Sequence, residues 1–185
     1  MLKPEQRRKL LEIARTSIAE TLSGRQPSVD AGAVDAELRR PSGSFVTLRT
    51  RDGELRGCIG SLHPVAPLYQ AVATSAIHAA FHDPRFDPVT ADELSRLEIE
   101  ISVMGPIEPV ANTDEIVVGR DGIIVSQAHK AGLLLPQVAT EYGWDRDMFL
   151  RQTCVKAGLR PDTWRSADCR IEKFSAEVFG ETDPE

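Results

Sequence analysis

Leu10, Ala14, Ile18 and Leu22 fall four residues apart, so they share one face of a helix, and the spacing predicts an amphipathic helix over 4–22. Pro4 suits its first turn, and Gly24 and Pro27 end it. Residues 25–43 carry Asp30, Pro41, Ser42 and Gly43 and read as loop around a short helical piece at 33–40. The pattern then changes period. Ser44 to Leu48 is β-branched and aromatic, and Leu55 to Ser61 reads as a second strand. Asp52-Gly53 between them accepts positive φ and predicts a hairpin turn. Pro64 and Pro67 introduce a helix over 66–82, with Leu68, Val72, Ser75, Ala76 and Ala79 on one face. Ala73, Ile77 and Ala80 cover much of the remainder, which predicts burial on several sides. Asp83-Pro84 stops it.

Thr90-Ala91-Asp92-Glu93 has the spacing of a capping box. From Leu97 to Met104 the alternation is clean, with Leu97, Ile99, Ile101 and Val103 expected inward and Glu98, Glu100 and Ser102 outward. Strands are expected at 116–119 and 122–127, flanking a second turn at Arg120-Asp121-Gly122, with another at 132–135. Pro136 starts a helix that Gly143 closes, and Asp145 caps a last helix over 146–157, ended by Gly158. Cys154 falls on its apolar face and reads as core. Residues 169–179 form a final strand, whose apolar phase shifts between Ile171 and Phe174 and predicts a bulge. Arg51-Asp52-Gly53 leads to Gln70-Ala71-Val72-Ala73-Thr74, and Arg120-Asp121-Gly122 leads to Gln137-Val138-Ala139-Thr140. This short repeat points to an internal duplication with two similar α+β halves.

Composition narrows the class. The chain has 185 residues, 41% apolar and 27% charged, as an ordinary globular protein does, and enough for one substantial core or two lobes sharing one. A net charge of −6 with no dense basic stripe excludes nucleic-acid binding as the main activity. Lys3, Arg7, Arg8 and Lys9 read as a solvated helix face. No apolar run approaches the ~20 residues that span a bilayer, and the first residues lack a secretory core. Three widely spaced cysteines do not make a disulfide framework, so the expected compartment is reducing and cytoplasmic.

The chemistry concentrates at Leu55-Arg56-Gly57-Cys58-Ile59-Gly60. On a strand, Arg56, Cys58 and Gly60 share one side, with Cα atoms of successive members roughly 6.5 Å apart. A nearby cation favours the thiolate, the form of cysteine that attacks. Glycines within a strand mark a bulge or a close approach, and two of them leave room beside the sulfur. The plainer alternative is a small buried Cys58, with glycines that let a helix pack tightly. His82-Asp83-Pro84-Arg85-Phe86-Asp87-Pro88 is a stiff polar turn, either part of a site or a local salt-bridge turn. Glu98 and Glu100 share a strand face and read as its wet side. His78 and His82 stand at i and i+4, a metal-binding spacing that Cys58, His63 or Asp83 could extend. However, no glutamate lies between the histidines and no Cys-x-x-Cys occurs, so neither metal nor cofactor is expected. There is no phosphate loop, nucleophile elbow or dinucleotide fingerprint.

These motifs run in one order: the cysteine hexapeptide, then Asp83-Pro84-Arg85-Phe86 with Pro88, then Asp92-Glu93-Leu94 and Glu98-Ile99-Glu100-Ile101-Ser102. Leu134-Leu135-Pro136-Gln137-Val138-Ala139, Gly143-Trp144-Asp145 and Cys154-Val155-Lys156-Ala157-Gly158-Leu159 follow. From about residue 44 onward the chain resembles the AMMECR family, component A of the prokaryotic AmmeMemoRadiSam system, and departs from it most at 25–43. The resemblance implies an α+β fold with a mostly antiparallel sheet, flanking helices, and a cleft between two lobes, about 1–110 and 111–185, with the final strand returning to the first. It implies partners of two kinds, a MEMO-like protein and a radical S-adenosylmethionine protein. The family's signature motif maps onto Arg56, Gly57, Cys58, Ile59 and Gly60.

Two functional readings stand at this point. In the first, the chain belongs to a protein or small-molecule modification system. Cys58 is then nucleophile or acceptor, Arg56 stabilises the thiolate or holds an anionic substrate, and His82 or His63 is the base. Gly57, Ile59, Gly60, His63, Asp83 and Arg85 are the expected binding residues. In the second, the chain is a non-catalytic module, and the Leu55–Gly60 strand is a surface on which a partner docks.

Overall fold

The structure is a computed structural model that describes residues 1–183. Its helices are α1 (Pro4–Leu22), α2 (Leu68–Phe81), α3 (Ala91–Leu94), α4 (Pro136–Glu141) and α5 (Arg146–Lys156). Its strands are β1 (Ser44–Thr50), β2 (Leu55–Ser61), β3 (Leu97–Pro109), β4 (Asp121–Gln127), β5 (Lys130–Leu134) and β6 (Arg170–Gly180). The strands are antiparallel and the fold is α+β. The chain divides into two compact units, one of Met1–Met104 with Glu177–Glu185, the other of Gly105–Ala176.

In the first unit the strand order is β2-β1-β3, and β2 is an edge. Leu10, Ala14 and Ile18 are fully buried, as the four-residue interval requires, and α1 packs on α2. The second helix lies on β1 and β2, with Val72, Ala76 and Ala79 against Val46 and Leu48 in one core. Its small residues permit this close packing. Gly57 takes it further, because a Cβ there would fall far inside contact with the Ala79 carbonyl of α2. The hairpin turns at Gly53, whose φ of +84° suits glycine, and the register shifts between Leu48 and Arg49. Between α1 and β1 the expected helical piece is instead two 3₁₀ turns, Ala31–Ala33 and Glu37–Arg39. On β3, Leu97, Ile99 and Ile101 are buried as expected, but Ser102 is buried too, so the outward face is not uniformly wet.

In the second unit the order is β6-β4-β5, and α5 packs on β4 and β5 around Ile123, Val125, Phe149, Leu150 and Cys154. The predicted strand at 116–119 and its turn are not formed. Asp121 opens β4, and its carboxylate accepts the Val117 N–H at 2.9 Å and the Arg120 guanidinium. Burial pushes the Asp121 carboxyl up, but these hydrogen bonds outweigh it and hold the pKa below the ordinary value. The hairpin falls later, between β4 and β5, where Ala128 has a φ of 53°. The bulge expected in β6 is also absent from its pairing with β4, which is regular from Arg170 to Ser175. The apolar phase changes there because Phe174 turns to the other face and covers Gly122, its cross-strand partner. A β-hairpin followed by a proline-started helix occurs in both units. The Arg-Asp-Gly triplets occupy different places in the two.

Candidate functional site

Strand β2 presents Cys58 at a position where its side chain and backbone are both engaged. Thr47 lies directly across on β1 and donates its hydroxyl to the Cys58 sulfur at 3.2 Å. Thr47 in turn faces Glu100 on β3, so Cys58, Thr47 and Glu100 form a row across three strands. The sulfur-bearing residue is half-buried. In an edge strand the backbone groups of such a residue point outward, unpaired. Here they are capped by side chains. The Cys58 N–H donates to Asp83 Oδ2 at 2.9 Å, and Arg85 Nη2 donates to the Cys58 carbonyl at 3.3 Å.

Asp83 and Arg85 belong to the turn that ends α2, and proline between them stiffens it. The Asp83 side chain is 1% exposed and accepts the Arg85 guanidinium through both oxygens, at 2.9 and 2.6 Å. These hydrogen bonds, helped by the backbone N–H groups of Cys58 and Arg85, overcome burial and hold the carboxyl far below its ordinary range. The same bonds to Asp83 raise the Arg85 pKa. The turn is thus a salt bridge and part of the site at once.

Arg56 also meets Phe86. Its guanidinium lies 6.0 Å from the Phe86 ring centroid, and that of Arg85 lies 5.5 Å from it, so two cations share one ring. Arg56 pairs with Glu93 of α3 at 3.0 Å, and this hydrogen bond, with the Thr90 N–H next, brings the Glu93 carboxyl down to about 2. Glu93 also closes the capping box with Thr90. Nη1 of Arg56 is buried and lacks a hydrogen-bond partner among the described residues.

The two glycines do not leave the expected room beside the sulfur. Gly57 faces Ala79 of α2, and the Phe45 ring lies over Gly60. Ile59 faces the helix side with Val46, its partner on β1. His82 is exposed at the end of α2, and His63 is exposed in the loop after β2. Among the described residues neither is hydrogen-bonded to Cys58. His78 and His82 meet edge to face at 5.3 Å, and among the described residues no cluster of three or more metal-ligating side chains forms. The structure therefore joins Cys58, Asp83 and Arg85 directly, adds Arg56 through Phe86, and leaves both imidazoles apart. Thr47, Phe86 and Glu93 are additions. Counting outward from Asp52-Gly53 already puts Thr47 opposite Cys58, whereas nothing local reveals that Glu93 would pair with Arg56.

The other cysteines differ. All three are free among the described residues. Cys154 is fully buried and Cys169 half-buried, and burial pushes both thiols up. Among the described residues no helix is long and apolar enough to cross a membrane.

The chain is similar to proteins of known sequence and structure. Residues 11–179 match the AMMECR1 family model. A protein of Aeropyrum pernix is 44% identical over 95% of this chain and 78% of its own length. One of Methanothermobacter thermautotrophicus is 44% identical over 97% of this chain and 96% of its own. The crystal structure of an uncharacterised protein from Pyrococcus horikoshii superposes with a TM-score of 0.92 at 41% identity, covering 99% of this chain and 95% of that one. With a family model spanning most of its length and relatives aligned over nearly all of it, the chain belongs to the AMMECR1 family.

Proposed function

We propose that this protein supplies Cys58 as the reactive thiol of a modification system, working with a MEMO-like and a radical S-adenosylmethionine protein in the cytoplasm. The observation that carries the reading is the triple hold on Cys58. Thr47 donates to its sulfur, Asp83 accepts from its N–H, and Arg85 donates to its carbonyl. The hydroxyl aimed at the sulfur and the guanidinium held at the same residue offer two donors to a group that meets the thiol. That guanidinium is Arg85, whose Nη2 donates to the Cys58 carbonyl, while Arg56 pairs with Glu93. Arg56 keeps a different part, since its buried, unpartnered Nη1 is a donor for an anionic group brought to this strand. The same hold weighs against the docking alternative in its simplest form. Asp83 and Arg85 occupy the backbone groups that an added strand would need at Cys58. The choice of partners rests on the family alone.

Iodoacetamide labelling at neutral pH, read by peptide mass spectrometry, tests the thiol. Cys58 should be alkylated well ahead of Cys154 and Cys169 and faster than glutathione. A Cys58 rate no faster than glutathione removes the reading. Pull-down with the two partner proteins separates it from docking. Binding that survives Cys58→Ser and Arg56→Ala while cellular function is lost supports chemistry, and loss of binding supports a docking strand.

A further inference from the structure

Behind β2, on the face opposite the Cys58 sulfur, lies a cavity of ≈ 340 Å³. Strand alternation puts Ser44 and Val46 of β1 and Ile59 and Ser61 of β2 on that side. The second helix adds Ala71, Thr74, Ser75 and His78, which are spaced as one stripe. The loop after β2 closes the remaining wall with His63, Val65 and Ala66. Neither the thiol nor its clamp lines this space, so it is independent of the function proposed above.

Ser44 is the informative residue. It is 1% exposed, lines the cavity, and its Oγ has no hydrogen-bond partner among the described residues. A buried hydroxyl left unpaired costs roughly 1–3 kcal/mol. Its neighbours on the same strand face, Val46 and Leu48, are apolar and fully buried, so packing alone would be served by another such residue. A hydroxyl at the wall of a cavity is satisfied by whatever polar group enters it. The walls around it are largely apolar, with Ile59, Ala66 and Ala71 among them. Among the described residues the only ionisable side chains lining the space are His63 and His78, and no carboxylate does so. An imidazole is neutral or positive, so the site favours an acid over an amine. A cavity of about 150 Å³ holds benzene, so this one admits a ring with a head group.

We infer that this cavity binds a small monocarboxylic acid with an apolar body. The body lies against Ile59, Ala66 and Ala71, the carboxylate accepts the Ser44 hydroxyl, and the rings of His63 and His78 offer N–H donors at the same space.

The test is a titration of the ¹⁵N-labelled full chain with benzoate, benzyl alcohol and benzylamine, followed by amide NMR shifts. Benzoate is expected to move the signals of Ser44, Ile59, Ser61 and Ser75 together, and to bind more tightly than the other two. Ser44→Ala should weaken benzoate by about tenfold, the loss of one charge-assisted hydrogen bond. Ala71→Leu, which grows into the space, should abolish binding. Thr74→Leu fills the exposed mouth and repeats that test should the first variant not fold. Scattered or absent shifts, benzylamine binding as well as benzoate, or unchanged affinity in Ser44→Ala would overturn the assignment.

Discussion

The Asp83 carboxylate accepts four hydrogen bonds, from Arg85 N, Nε and Nη2 and from Cys58 N, and it does so almost fully buried. Its charged form is therefore much better placed in the folded chain than in the unfolded one. A carboxyl whose folded pKa is lowered adds stability that is complete above its unfolded value and fades as pH falls toward the folded one. The same sign holds for Glu93, whose contribution declines from its ordinary 4.5 toward about 2. Urea midpoints measured from pH 7 to 2.5 should accordingly drop below about pH 4, more steeply for wild type than for Asp83→Asn, and parallel curves would contradict this origin. At pH 7 Asp83→Asn should cost roughly 1.5–3 kcal/mol, the range for hydrogen bonds to a charged group. Thr47 has a different task. Thr47→Val keeps the shape but removes the donor to sulfur, so Cys58 alkylation should slow, by up to about tenfold, with the unfolding midpoint little changed. An unaltered rate would show that the hydroxyl does not act on the thiol.

Among the elements, β2 shows what a sequence reveals of a site and what it hides. Its boundaries, its alternation and the turn before it are all local properties, and each was readable. The purpose of its glycines was readable only as two alternatives, room beside the sulfur or the close packing of a helix, and the structure bears out the second at Gly57. Gly60 answers to Phe45, which the same count from Asp52-Gly53 places opposite it, whereas Gly57 answers to Ala79 of α2, a contact set by tertiary packing. The pairing of Arg56 with Glu93 is hidden for the same reason, since the two lie on elements that only folding brings together. Arg120-Asp121-Gly122 misleads because its letters suit a hairpin, while the Asp121 carboxylate is committed to Val117 and Arg120 at the head of a strand. A changed phase in β6 looks like a bulge because one aromatic, Phe174, is needed on the far face to cover Gly122. Gly57→Ala tests the packing account. The new methyl meets a helix backbone rather than a flexible side chain, so relaxation is limited and destabilisation should reach the upper part of the roughly 1–3 kcal/mol typical of overpacking. Equal stability in a denaturant titration would mean that α2 can retreat from β2 without cost.

At the scale of the molecule, the first unit is discontinuous in sequence, and its last stretch returns to fix its first helix. Arg7 of α1 binds Glu177 at 2.8 Å, whose carboxylate also accepts the Leu2 N–H. Arg15 reaches Glu181 through Nε and Nη2 and spends its other donors on the Leu94 and Leu97 carbonyls. Glu181 in turn accepts the Ile99 N–H of β3. Hydrogen bonding to Glu181 raises the Arg15 pKa. Phe179, 2% exposed, joins the core that α1 and α2 share. Ending the chain at Ala176 would remove that ring and both arginine anchors together. Losing the buried ring alone is worth about 1.5–3 kcal/mol, and the partly exposed ion pairs add up to about 1 kcal/mol each after solvent screening. The shortened chain should therefore melt well below the full one, with α1 becoming the first site of proteolytic cleavage. Glu181→Gln separates the two contributions. It leaves Phe179 in place, so it should lower the melting temperature only slightly and leave α1 protected. A drop as large as the truncation's would assign the closure of the unit to the ion pair rather than to the ring.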